Sequence, residues 1–431
     1  MTDPSGPAGS GAPDDADSTA DTESSTPEVT PLTHPADGVP DVLRSAAEFA
    51  EAAERLAAGT GPIAVDTERA SGYRYSQRAY LIQIRRTGSG SFLLDPIDEP
   101  VALRPVIDVL DGPEWVLHAA DQDLPCLREL DFVCAEVYDT ELAGRLLGLP
   151  KVNLAAMVAE FLGLGLAKGH GAADWSRRPL PDDWLNYAAL DVEVLVELRD
   201  AIDAALVDAG KDDWARQEFR HILDRPPTPP RTDRWRKTSN IHTVKNVRAL
   251  AGVRELWTAR EEIAARRDIA PGRVLPDSAM VTAATAAPST IDELTRLPVF
   301  GGPRQRRLAG TWLTALQRAR DLPDSALPAK KAGAVGLPPV NRWDQRNPDA
   351  AARAAVVRPL VREIAEANTV PVENLVSPEV VRQLCWDGID PPISAAAVDA
   401  RLERDGARRW QRELVADPIA DALDEVARST D

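Results

Sequence analysis

Four short β-type runs crowd into residues 61–120, whereas no convincing strand pattern follows residue 240. The runs are GPIAVDTE (61–68), YLIQIRR (80–86), SFLLDP (91–96) and EWVLHAA (114–120), each rich in apolar or β-branched residues and bounded by Gly, Asp or Pro. Around them lie helical patterns: residues 42–57 before, and DLPCLREL, ELAGRLLGL, NLAAMVAEFLG and the unbroken PDDWLNYAALDVEVLVELRDAIDAAL after. Three consecutive strands, then strands alternating with helices, predict an α/β unit with a mixed sheet flanked by helices, ending near residue 220. A chain of 431 residues is too long for one core, so further modules must follow.

Those modules read as helical. From NVRALAGVRELWTAREEIAARRDI to RQRRLAGTWLTALQRAR the chain alternates amphipathic helices with Pro- and Gly-marked turns, and residues 348–425 do so again. AREEIAARRDIAPGRVLPDSAM (259–280) and VREIAEANTVPVENLVSPEVV (361–381) share an Arg-Glu, an Ile-Ala pair and a Pro-containing turn, the pattern of a diverged internal repeat. Two unrelated small bundles could share as much. The expected division is a disordered acidic tail at 1–41, an α/β domain at 42–222, a linker at 223–240, a helical module at 241–325, a linker at 326–344 and a second helical module at 345–431.

Charge is distributed unevenly along the chain. The net charge is −18, yet residues 1–43 hold nine Asp or Glu and no Lys or Arg, which accounts for half of it. Residues 220–273 carry thirteen Arg or Lys against six acidic residues, interleaved with Trp235, Trp257 and His242, so phosphate could be met there. Cys126, Cys134 and Cys385 lack paired spacing, which argues against a disulfide framework or a four-ligand zinc site and for a reducing, cytoplasmic setting. Neither a membrane span nor a secretory signal is evident.

The chemistry-bearing residues lie in the α/β unit. Asp66 and Glu68 are two apart at a strand end, so both face one spot. They could mark an ordinary solvated turn or half of a site for a hard divalent cation. In VLHAADQDLPCL (116–127), Asp121 or Asp123 could cap a helix or supply another ligand. Tyr187 and Asp191, four apart, share a helical face.

Together these segments resemble the ribonuclease D branch of the DEDD 3′–5′ exonucleases. The first motif of that family, Asp-x-Glu, is similar to Asp66-Thr67-Glu68; its second to His118-Ala119 with Asp123-Leu124; its third, Tyr-x-x-x-Asp, to Tyr187 and Asp191, the tyrosine subgroup. LIQI (81–84), DT (139–140) and DWSRRPLP (174–181) fit as well. The middle helical stretch resembles the HRDC domain, and residues 340–425 resemble the further helical module of ribonuclease D relatives. One departure is that KGHGAADW places His170 and Gly171 where the family commonly carries a Gln.

The resemblance implies a ribonuclease H-like sheet and a 3′–5′ exoribonuclease that trims structured RNA, tRNA precursors above all, and releases nucleoside 5′-monophosphates. It implies two divalent ions, Mg²⁺ or Mn²⁺, held by Asp66, Glu68, Asp123 and Asp191, with Asp66 bridging them. Tyr187 would orient the attacking water, since a phenol of pKa about 10 is a poor free base. RNA contacts are expected from Trp175 and Arg178 beside the cleft and from Arg234, Arg236, Lys237 and Lys245 in the basic run, with Arg177, Lys168, Arg231 and Arg248 as further candidates. His118 is read as structural. A DNA exonuclease and a catalytically silent nucleic-acid-binding protein are the competing functions; no Walker-type loop accompanies the first, and the presence of all four carboxylates argues against the second. The sequence suggests no protein partner.

Overall fold

In the computed structural model the described residues are 29–167, 169–226, 232–330 and 336–430. Eight strands occur among them: β1 (Thr30–Leu32), β2 (Val42–Leu43), β3 (Thr60–Glu68), β4 (Leu81–Thr87), β5 (Gly90–Leu94), β6 (Glu114–Leu117), β7 (Glu136–Asp139) and β8 (Leu164–Leu166). Six form a mixed sheet in the order β2-β5-β4-β3-β6-β7, with β3 antiparallel to β4 and parallel to β6. The nine-residue β3 is therefore hydrogen-bonded on both edges, and its C-terminal end carries Asp66 and Glu68. Gly61, at φ +72°, marks the one register shift in its ladder.

Helices cover the sheet for reasons visible locally. Ser45 and Glu48 form a reciprocal capping box that starts the helix Ala46–Ala58, which buries Phe49, Ala52, Ala53 and Leu56 against the sheet. The long helix expected across residues 181–206 is broken: it leaves helical geometry at Val194 (φ −116°, ψ 6°), giving Asp182–Glu193 and Leu195–Asp208. Three β-branched residues, Val192, Val194 and Val196, crowd the break and lower helix propensity. Glu193, buried there, pairs with Arg85 at 2.9 Å and accepts the Ala36 N–H at 3.0 Å.

Several expected boundaries need correction. The acidic tail, expected to be disordered through residue 41, contains β1, which pairs in parallel with β8, Thr30 opposite Leu164; residues 1–28 of that tail lie outside the described residues. The helix expected from residue 42 begins at Ala46, after β2. The linker 223–240 ends sooner than expected, because Trp235 is buried in the core of the middle module; its residues 227–231 are not among those described. In the second linker, Trp343 is fully buried and donates through Nε1 to Pro338 O at 2.8 Å, so its end belongs to the C-terminal module; residues 331–335 lie outside the description.

The two helical modules share an element order. Helices of 21, 4 and 10 residues (Val247–Arg267, Pro271–Val274, Asp277–Ala286) answer helices of 20, 4 and 10 (Pro348–Ala367, Val372–Leu375, Pro378–Asp387). Each long helix is followed by a left-handed residue, Asp268 (φ 47°) or Thr369 (φ 51°), five positions after an Ile-Ala pair begins. Both corners dock on the α/β domain. Asp268 Oδ1 accepts the Tyr75 and Ser76 N–H groups at 3.1 and 2.8 Å, and its Oδ2 accepts the Tyr80 hydroxyl at 3.1 Å. Thr369 O accepts Lys211 Nζ at 3.2 Å and lies so close to Gly148 that a Cβ there would be 2.5 Å from it.

The C-terminal module is bound more tightly, since its core is continuous with that of the α/β domain. Trp410 stacks on Trp214 with ring centroids 4.6 Å apart, and Glu218 accepts Trp410 Nε1 at 2.8 Å and Arg408 Nε at 2.6 Å. Trp410→Ala is expected to cost about 3–5 kcal/mol of unfolding free energy, measured by denaturant titration. A loss below about 1 kcal/mol would show that this junction contributes little to holding the module.

Candidate active site

The site is assembled from three segments that the sheet topology brings together. Asp66 and Glu68 share one face at the end of β3. Tyr187 and Asp191 come from the helix Asp182–Glu193, which crosses β3 and β4. Ligand oxygens of Asp66, Glu68 and Asp191 lie within 4.8 Å of one another. They line a cleft of about 560 Å³ together with Thr67, Arg69, His118, Gln122, Asp123 and Tyr187. A groove of about 680 Å³ beside the β4–β5 hairpin is larger, but its buried Glu193 and Arg85 neutralise each other, so the reactive groups concentrate in the smaller cleft.

Asp123 reaches the cleft through a turn that sequence reasoning did not resolve. After β6 the chain passes through Ala119 in the left-handed region (φ 62°) into a short 3₁₀ turn, Ala120–Gln122. Asp139, at the end of β7, holds this turn: its carboxylate accepts the Ala119 and Ala120 N–H groups at 3.1 and 2.9 Å and caps the next helix at Leu142 N. Asp123 makes no side-chain cap hydrogen bond, so the helix-cap alternative fails. Instead its Oδ1 accepts the Thr67 hydroxyl at 2.6 Å, with Arg69 Nη1 3.7 Å away. It lines the cleft beside the trio without joining the 4.8 Å group.

Crowding like charges in a buried place disfavours their ionisation. Burial and the neighbouring Asp123, Asp191 and Glu68 push Asp66 well above the usual carboxylate range. Burial, then Asp191 and Asp123, raise Glu68 to about 9. Asp191 rises to about 7 through burial, and Asp123 to about 6, restrained by Thr67 and Arg69. Such a cluster is stabilised by a bound cation, and oxygen-only donors without Cys or His suit a hard divalent ion. Burial lowers His118 to about 4, and its Nδ1 lies 2.9 Å from the Thr140 hydroxyl, as a neutral structural residue would.

Burial and Asp191 raise the Tyr187 phenol above its ordinary range, so it stays protonated. Gly169 lies against its ring, where a Cβ would come within 1.7 Å of Tyr187 carbons. His170, in the family's Gln neighbourhood, stacks on Trp184 at 5.8 Å and meets the Tyr187 ring edge-on at 6.0 Å.

The expected nucleic-acid contacts fare unevenly. Trp175 has 0% exposure and donates to His170 O, so it offers no face to a base; the expectation is corrected. Arg178 is corrected also: Nε and Nη2 grip Asp95 at 2.6 and 2.8 Å while Nη1 and Nη2 donate to the Trp175, Arg177 and Tyr80 carbonyls. Arg236 packs over Trp235 and donates to Ala329 O, and Arg248 caps the helix Ala309–Asp321 through three carbonyls; both are structural. Arg234, Lys237 and Lys245 are exposed, as is Arg177. Lys168 and Arg231 lie outside the described residues. Thr67, Arg69, Asp139 and Gly169 carry no assigned role in the sequence reading, although Thr67 is the middle residue of the Asp-x-Glu motif and Arg69 directly follows it.

Comparison with known proteins matches a 3′-5′ exonuclease family over residues 41–206, the HRDC domain over 249–316 and the 3′ to 5′ exonuclease C-terminal domain over 336–423. Ribonuclease D of Nitrobacter hamburgensis is 28% identical over 385 residues, covering 87% of this chain and 92% of its own. The crystal structure of Escherichia coli RNase D, described as an exoribonuclease involved in structured RNA processing, aligns with TM-score 0.62 and 25% identity, over 89% of this chain and 98% of that one. The chain belongs to the ribonuclease D family. A crystal structure of a Bifidobacterium adolescentis protein is similar at 36% identity and TM-score 0.83, over 93% of this chain and all of that one. The chain is thus a 3′–5′ exoribonuclease, a phosphodiester hydrolase that uses divalent metal. Among its described residues no helix is long and apolar enough to cross a membrane.

Carboxylates whose folded-state pKa is raised contribute stability that is fully present below the unfolded value, about 4, and is lost as pH rises from there through the folded values, about 7 for Asp191 and about 9 for Glu68. Melting of the chelator-treated enzyme should therefore show the cluster's destabilisation growing across that window, and the increase in Tm on adding Mn²⁺ should grow with it; a pH-independent increase would contradict the cluster. Gly169→Ala should displace the Tyr187 ring and lower kcat with little change in Tm, read by parallel kinetics and calorimetry.

Proposed function

We propose that this exoribonuclease trims the 3′ ends of structured RNA, tRNA precursors among them, and releases nucleoside 5′-monophosphates. The observation that carries the reading is the convergence of Asp66, Glu68 and Asp191 beside Tyr187 in one cleft. The described role of the Escherichia coli relative supports the substrate class. Asp66, Glu68, Asp123 and Asp191 would hold two Mg²⁺ or Mn²⁺ ions. When bound, these ions supply an activated water and neutralise charge on the phosphoryl group.

The remaining work falls to the protein's own groups. Tyr187, protonated and backed by Gly169, donates its hydroxyl proton toward the phosphate or the attacking water and orients it, rather than taking up a proton. Thr67 keeps Asp123 turned toward the cleft, and Asp139 fixes the turn that delivers it. Arg234, Lys237 and Lys245 of the middle module are exposed cations available to the RNA backbone. Cys126, Cys134 and Cys385 are all free, which supports a reducing, cytoplasmic setting.

Incubating the enzyme with end-labelled single-stranded RNA and DNA, with and without Mg²⁺ or Mn²⁺, tests the reading. The wild type should release 5′-monophosphates from RNA only with metal. Asp66→Asn should lose more than about 100-fold in rate, beyond what loss of a supporting outer group costs, while keeping its Tm. Tyr187→Phe should lose about 100-fold in kcat. Preference for DNA would replace the substrate assignment, and metal-independent release would overturn the mechanism.

A further inference from the structure

Among the described residues lining the catalytic cleft, Arg69 is the one permanent cation. It directly follows Glu68, at the point where β3 enters the loop to β4. Its side chain is 24% exposed, and its contact is the 3.7 Å approach of Nη1 to Asp123 Oδ1. No hydrogen bond to a described residue occupies its donors, whereas Arg74 is committed to Ser176 and Arg178 to Asp95. An arginine so placed opposes metal binding, since it competes for Asp123 and adds positive charge where divalent ions must sit. Four ionised carboxylates already balance two divalent ions, so its charge is surplus to that set. What it does match is an arriving phosphodiester: a planar fork of donors fits phosphate oxygens, and Thr67 suffices to hold Asp123 when the guanidinium leaves.

We propose that Arg69 is a phosphate-binding residue of this cleft, resting on Asp123 until the 3′-terminal phosphodiester enters and then donating to one of its non-bridging oxygens. The inference rests on the exonuclease reading of the site and adds the group that recognises the substrate's phosphate. It also makes the nucleoside 5′-monophosphate product a ligand of the same guanidinium.

Full-length wild type, Arg69→Gln and Arg69→Lys are compared in three measurements: Mn²⁺ titration without nucleotide, inhibition and direct binding by AMP on the Mn²⁺-loaded protein, and steady-state cleavage of a single-stranded RNA. Arg69→Gln should bind Mn²⁺ at least as tightly as the wild type. It should bind AMP about 10–100-fold more weakly and lose a similar factor in kcat/KM, the range of a hydrogen bond to a charged group. Arg69→Lys, which keeps the charge and loses the fork, should fall between them. A merely structural arginine would weaken Mn²⁺ binding and Tm together, and that result overturns the proposal. Unchanged AMP binding and kcat/KM in Arg69→Gln overturn it equally. If the wild type releases no monophosphates, the exonuclease reading fails, while Mn²⁺ and AMP binding still judge Arg69 separately.

Discussion

Everything in this molecule is arranged around a cost: three carboxylates whose oxygens lie within 4.8 Å of one another, with a fourth beside them. Like charges at that spacing repel, and burial makes the repulsion worse. They stay together because each is fixed by backbone that has other reasons to hold its shape. Asp66 and Glu68 end a strand bonded on both edges; Asp191 rides a helix packed on β3 and β4; Asp123 hangs from a turn held by Asp139. Each of these supports is made by the protein's own strands, helix and hydrogen bonds.

The parts that were legible in the sequence are those with a period or a spacing. Asp66 and Glu68 two apart on a strand, and Tyr187 and Asp191 four apart on a helix, need no tertiary knowledge to be placed on one face, and the four β-type runs gave the sheet's centre. What was illegible had no local signature. β7 is four residues long and its pairing with β6 is set by the fold, so EVYD could not stand out from a turn. β1 pairs with residues more than 130 positions away, and nothing in a Pro- and acid-rich tail announces that.

Side-chain roles were misjudged where long-range partners decided them. Trp175 and Arg178 looked like substrate contacts because they precede the tyrosine helix; burial of the first and the Asp95 grip on the second are invisible without the sheet. Trp235 lies in the basic run where phosphate contact is expected, yet it plugs the core of its module. Arg69 was passed over for the opposite reason, since a cation beside a carboxylate motif reads as a neutral surface choice until the cleft shows that it has no other company.

The paired docking corners have a bearing on how the chain is ordered. Both present acceptors to donors on the α/β domain, but one is a side-chain carboxylate and the other a main-chain carbonyl. A lysine amine can be served by either. A single threonine hydroxyl at the corner has too few acceptor sites to serve two peptide N–H groups and a tyrosine hydroxyl together, and at least one donor would be left without a partner. Only the berth next to the catalytic strand is therefore keyed by a side chain, the Asp268 carboxylate, whereas the other asks no more of its module than a main-chain carbonyl.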